Sequence, residues 1–247
     1  MDADLKIQAM SEGGQMLAEI LKKLVAIAKV RVKLSEIEDE ARKLLMETGG
    51  EPAFMKVPGY KWATCINLNE GVVHGIPNGR EIKDGDLVKI DVGLFFHGYY
   101  TDTSTSVLVG ENDELQKFLA AGRVALEKAI EQVKMGNRVG HISQSIQETL
   151  AKFELKAVPE LTGHGVGREL HEKPYVPGVL SSPIDNTPLL YDGQTLAIEI
   201  IYTSGKPDLI LANDGWTINT KDGKIAGLFE ETVAVTSQGP LRLTKID

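Results

Sequence analysis

Asp84-Gly-Asp-Leu-Val-Lys-Ile-Asp91 and Asp192-Gly-Gln-Thr-Leu-Ala-Ile-Glu199 are two copies of one pattern. Each reads Asp-Gly-x-x-apolar-x-Ile-acid: a turn signal, then a strand-like run that sets a carboxylate among apolar neighbours. Each is followed by an acid that opens another such run, Asp102-Thr-Ser-Thr-Ser-Val107 and Glu230-Glu-Thr-Val-Ala-Val-Thr236. Each is preceded by a His-Gly pair, His74-Gly75 and His164-Gly165. This ordered echo predicts two halves with one plan: His-Gly, acid on a strand, acid on the returning strand.

Strands are expected over Leu87 to Tyr100 and Thr101 to Val109, broken by His97-Gly98, and over Thr195 to Tyr202 and Phe229 to Thr236. Helical spacing of Met10, Met16, Leu17, Ile20, Leu21 and Leu24 predicts an amphipathic helix from Leu5 to about Lys29. Ser35 with Glu38 reads as a capping box opening a second helix that stops at Gly49-Gly50. Two more are expected over Asp113 to Lys134 and Val139 to Phe153. Helices and hairpins mix without the alternation of a doubly wound sheet, so the class is α+β with a mainly antiparallel sheet. The expectation is a single domain over residues 1–247.

Composition narrows the function classes. The net charge of −8 disfavours nucleic-acid binding, which needs a basic stripe, while leaving carboxylates available for cations. The one cysteine, Cys65, excludes an internal disulfide and suits a reducing compartment. Met1 to Asp4 lacks the basic start of a signal peptide, and no apolar run approaches a membrane span, so a cytoplasmic protein without a membrane partner is expected.

Asp91 and Asp102 carry the sharpest local chemistry. With a turn at Phe96-His97 they would face each other directly across an antiparallel pair, roughly 5 Å apart at Cβ. Two such carboxylates repel unless they share a proton or a cation. With Glu199, Glu230 and one imidazole, the set suits a two-metal cluster of Mn, Co, Fe or Zn. His97 reads as a turn residue and His141 as an exposed helix residue. The glycines of Gly163-His-Gly-Val-Gly167 resemble a phosphate loop only superficially, because Pro174 and Pro177 follow where a helix should begin.

Cys65-Ile-Asn-Leu-Asn-Glu-Gly-Val-Val-His74-Gly-Ile-Pro77, Ile90-Asp91-Val, Asp102-Thr-Ser, Gly163-His164-Gly-Val-Gly167, His171-Glu-Lys-Pro174, Ile198-Glu199, Asp214-Gly-Trp216 and Phe229-Glu230 together resemble the type I methionine aminopeptidases, over nearly the whole chain. That resemblance implies the pita-bread fold: a curved, mainly antiparallel sheet with helices outside and an internal pseudo-twofold. It implies removal of the N-terminal methionine from peptides and nascent proteins by a hydroxide activated at a dinuclear metal centre. Asp91, Asp102, His164, Glu199 and Glu230 would be ligands, with Asp102 and Glu230 bridging, and Glu199 would also move a proton. His171 would donate to the scissile carbonyl or its oxyanion, and His74 would contact the peptide backbone. Tyr60, Cys65 and Trp216 would line the pocket for the first side chain. A monomer acting on chains with a free N-terminus is implied.

Departures from the family pattern fall at Glu231, where His is usual, at Ile200, where Pro is usual, and at Leu170 and Val57, where aromatics are usual. An acid at 231 is the habit of prolidase and aminopeptidase P, which makes an Xaa-Pro peptidase the second reading. A non-catalytic pita-bread protein that binds peptide is a third, disfavoured by the complete ligand set.

Overall fold

The computed structural model describes residues 3–246; the start of the stretch read for a signal peptide lies outside them. The strands are β1 (Glu51–Pro52), β2 (Thr64–Leu68), β3 (Gly71–Val73), β4 (Leu87–Phe96), β5 (Tyr99–Leu108), β6 (Lys156–Ala157), β7 (Thr162–Gly165), β8 (Glu172–Pro177), β9 (Thr195–Thr203), β10 (Leu209–Leu211), β11 (Ile218–Thr220), β12 (Ala226–Thr236) and β13 (Gly239–Arg242). The α-helices are α1 (Ala3–Ile27), α2 (Leu34–Glu47), α3 (Asp113–Ile130) and α4 (Val139–Ala151).

The main sheet runs β1-β4-β5-β12-β9-β7-β8, with β2 on β4, β6 on β9 and β13 on β12. A small sheet, β10-β11-β3, lies apart. Every recorded strand pair is antiparallel, as the mixture of hairpins and helices predicted. Ile90, Val92 and Leu94 of β4 pack with Leu17, Leu21, Leu24, Ile37 and Leu45 of α1 and α2. Ile198, Ile200 and Val233 of β9 and β12 pack with Leu119, Leu126, Ile142 and Ile146 of α3 and α4. The helices therefore cover one face of the sheet, and the acids alternate onto the other.

α1 comes very close to the chain beneath it. A Cβ at Gly14 would stand 2.3 Å from the Leu243 carbonyl oxygen, so only glycine fits there. α2 begins one residue before Ser35, and its capping box is a different one from that expected. The Lys33 N–H donates to the Glu36 carboxylate at 2.8 Å. Glu38 is instead buried, accepting from the Ala63 and Thr64 N–H groups, the Thr64 hydroxyl and Arg42. Two hydrogen-bonded N–H groups of the β2 segment outcompete a cap that water could supply.

The β4–β5 hairpin corrects the expected register. His97 (φ 49°) and Gly98 (φ 85°) form a two-residue loop with both positions left-handed, as a type I′ turn requires. Phe96 therefore pairs with Tyr99, Asp91 faces Ser104, and Asp102 faces Gly93. Asp91 and Asp102 share a face as diagonal neighbours, not as directly opposed residues.

The echo in the sequence is a pseudo-twofold in the fold. The Gly85 N–H donates to the Val109 carbonyl at 2.7 Å, and the Val109 N–H returns to Asp86 at 2.9 Å. In the other half, the Gly193 N–H donates to Val235 at 2.9 Å and the Val235 N–H returns to Gln194 at 2.8 Å. Asp91 opposes Ser104 and Glu199 opposes Glu230, so Ser104 and Glu230 are counterparts; they also oppose each other across the β5–β12 pair. The pseudo-axis passes between them. On either side of it a hydroxyl takes over the ladder. Thr232 accepts from the Asp102 N–H and donates to its carbonyl, at 2.9 and 2.8 Å. Ser106 does the same for Leu228 at 2.9 and 2.7 Å.

The twofold also corrects the echo. Cys65 pairs with Asp91 and His164 with Ala197, two residues before Glu199, so the counterpart of His164 is Asn67 and not His74. The counterpart of Asp102 is Leu228. Only the first acid of each half, Asp91 and Glu199, forms a symmetric pair of carboxylates.

Candidate active site

One row of residues crosses the sheet by register: Cys65 on β2, Asp91 on β4, Ser104 on β5, Glu230 on β12 and Glu199 on β9. Asp102 and His164 lie one pleat away on the same face. All five expected ligand residues line a single cavity of about 150 Å³. Ligand atoms of Asp102, His164 and Glu230 lie within 4.8 Å of one another. The Nε2 atom of His164 is 3.4 Å from the Glu199 carboxylate.

The electrostatics of the cluster are those of groups awaiting a cation. Burial, then the nearby Asp102 and Glu199 carboxylates, pushes the Asp91 carboxyl well above its ordinary range. Glu199 and Glu230 are raised in the same way, by burial first and by neighbouring carboxylates second. Burial lifts Asp102 to about 7. His164 goes the other way, down to about 4, because burial and the adjacent His171 both disfavour the imidazolium. Its Nδ1 lies 2.9 Å from the Gly165 carbonyl, which can only accept, so the proton sits on Nδ1 and the Nε2 lone pair faces the acids.

Asp91 Oδ1 and Asp102 Oδ1 are buried with no hydrogen-bond partner, as is the Ser104 hydroxyl between them and Glu230. Orphaned buried carboxylate oxygens are costly, and a divalent ion satisfies them. Four carboxylates and one neutral imidazole are a hard donor set of the kind that Mn, Fe, Co and Zn accept. The residues present fit a metal centre.

Above the acids the cavity is apolar. Tyr60 stacks edge-on against Trp216 at 5.0 Å between ring centroids, and its hydroxyl donates to the Thr64 carbonyl at 2.9 Å. Cys65 and Leu170 complete the wall with Val57, Phe54 and Val73. Phe54 and Val73 carried no local signal in the sequence, since the first comes from a 3-10 turn and the second from the small sheet. His171 lies against His164, 4.4 Å between ring centroids. His74, in a left-handed conformation (φ 57°), reaches the cavity from the loop after β3. Burial lowers both histidines, so each is neutral near pH 7 and able to donate one N–H. Of the other histidines, His97 is the hairpin turn residue, and His141 is half-buried in α4, where its ring nitrogen accepts from the Arg138 N–H at 3.0 Å.

Glu231, the acid that pointed toward Xaa-Pro enzymes, faces away from this cavity. It is buried on the helix side of β12, where Arg242 binds it through Nε at 2.6 Å and through a second guanidinium nitrogen. Arg242 also reaches Glu127 at 2.9 Å.

A hydrophobic pocket floored by buried acids and one neutral imidazole, with two donor histidines beside it, defines a metal-dependent hydrolase acting on a small apolar group. The sequence matches the model of metallopeptidase family M24 over residues 8–237. It is 38% identical to a methionine aminopeptidase of Aquifex aeolicus, across 98% of this chain and 96% of that protein. The structure of a methionine aminopeptidase from Thermotoga maritima superposes with a TM-score of 0.94 at 35% identity, covering 97% of this chain and 96% of the other. Prolidase from Pyrococcus furiosus shares the fold at a TM-score of 0.79 and 22% identity, with 64% of its chain covered. The chain belongs to metallopeptidase family M24. Its architecture is the pita-bread fold. Among the described residues, no helix is long and apolar enough to cross a membrane.

Proposed function

We propose that this chain is a single catalytic unit that removes the N-terminal methionine from peptides and nascent proteins. Two divalent ions would be held by Asp91, Asp102, His164, Glu199 and Glu230. The observation that carries this reading is the convergence of those residues beneath a pocket walled by Tyr60, Cys65, Leu170 and Trp216. When bound, the ions supply Lewis acidity to a carbonyl oxygen and lower the pKa of water at the site.

The chain's own groups do the rest. The apolar wall takes the unbranched thioether side chain and excludes water from it. The small cavity closed over the acid floor takes the end of a chain, which limits attack to the first peptide bond. Neutral His171 donates to the carbonyl oxygen as negative charge develops there. His74 donates from the loop after β3 to the peptide backbone. Glu199, on the floor of the cavity, accepts a proton from the attacking water and passes it to the leaving amine.

Glu231 does not move the reading toward Xaa-Pro substrates, because its carboxylate is committed to Arg242 on the far side of β12. The test is a panel of Met-Ala, Met-Gly, Leu-Ala and Xaa-Pro peptides offered to protein loaded in turn with Mn, Co, Fe and Zn. Release of methionine alone is expected. Release only from Xaa-Pro peptides would replace this reading with the prolidase one.

A further inference from the structure

The pseudo-twofold places a second polar row on the concave face, one pleat from the acid row. Asn67 on β2 pairs with Lys89 on β4, which pairs with Ser106 on β5. The counterparts of Asn67, Lys89 and Ser106 in the other half are His164, Ala197 and Thr232. On that side the small Ala197 leaves room beside His164 and Asp102. On this side Lys89 fills the equivalent place with a side chain that is only 1% exposed.

Lys89 does not reach the acids. Its Nζ donates to the Asn69 carbonyl at 2.8 Å and to the Ala226 carbonyl at 3.0 Å. The Ala226 N–H also donates to the Asn69 carbonyl, at 3.1 Å. Asn69 is the left-handed residue (φ 48°) of the β2–β3 turn, and Ala226 is the first residue of β12. One buried amine thus joins a turn of the first half to the strand of the second half that carries Glu230. β3 leads from that turn straight to His74. Asn67, in the same row, holds the far end of the segment by accepting from the Gly75 N–H at 2.9 Å.

We propose that Lys89 is a positioning residue, a tethered amine that fastens the β2–β3 turn to the start of β12 and so presents His74 over the acid row. A neutral amine has two N–H donors and an ammonium three, so either form supplies both bonds. Nothing else among the described residues links Asn69 and Ala226 through a side chain; removing the amine leaves the Ala226 carbonyl without its buried donor and leaves the Asn69 carbonyl only the Ala226 N–H.

The inference rests on the peptidase reading for its kinetic consequence but not for its structural one. Lys89→Met keeps the length and removes the donors. Its KM for a Met-Ala peptide should rise about tenfold while kcat changes by less than about threefold, the split expected when a substrate contact is misplaced. Bound metal should stay at the parent level. Hydrogen exchange at the Ala226 and Gly75 amides should speed by about tenfold or more, a local opening and not global unfolding. In Lys89→Ala, added methylammonium should restore the low KM, and an equal concentration of tetramethylammonium, which has no N–H, should not. Unchanged KM with unchanged exchange in Lys89→Met would overturn the proposal, as would loss of bound metal. If the parent protein cleaves no peptide at all, the peptidase reading falls, and the exchange measurement still decides the role of Lys89.

Discussion

Replacing Asp102 with Asn separates what the acid cluster costs the fold from what it does for metal binding. In the metal-free chain, burial lifts the Asp102 carboxyl from 3.8 to about 7. A carboxyl raised on folding favours the folded state while protonated. That contribution is complete below about pH 4 and is lost as pH rises through about 7. Ionising Asp102 at about pH 7.5 therefore costs the fold on the order of 4 kcal/mol. Asn has the same shape and carries no charge. Urea melts in EDTA at about pH 7.5 should show Asp102→Asn more stable than the parent by about 2–4 kcal/mol, with the gap closing toward pH 4. A saturating divalent ion should reverse the order. The parent gains about 4 kcal/mol at a thousandfold excess over Kd, and the variant gains little because one of the three clustered groups has lost its negative charge. A variant no more stable than the parent in EDTA at neutral pH would refute the electrostatic argument. Equal stabilisation of both by metal would refute the placement of Asp102 among the ligands.

His171→Ala should lower kcat by about a hundredfold or more, as loss of an oxyanion donor does, with metal content by atomic absorption unchanged. Arg242→Ala strips the partner from buried Glu231 and should cost about 3 kcal/mol in chemical denaturation without changing KM. A Cβ at Gly227 would stand 2.4 Å from the Tyr202 ring, so Gly227→Ala should destabilise by about 1–3 kcal/mol and lower the melting temperature.

Much of this molecule is legible along the chain. Asp-Gly turns, strand runs and helical spacing act over a few residues, and all four helices and the long strands β4, β5, β9 and β12 lie within a few residues of where those local signals put them. The acids were legible too, because carboxylates among apolar strand residues contradict their surroundings unless something binds them. The register was not. Whether Asp91 meets Asp102 or Ser104 depended on His97 joining Gly98 in a left-handed turn, a shift that moves every pair in the hairpin. Nor could the chain show that Asn67 and not His74 answers His164, that Glu231 points outward to Arg242, or that Lys89 holds Ala226. Those pairings join residues far apart in sequence, through hydroxyl and amine bonds that exist only once the two halves close around the axis between Ser104 and Glu230. The ligand types were thus written locally, and their meeting on one face of the sheet was decided by tertiary hydrogen bonding across that axis.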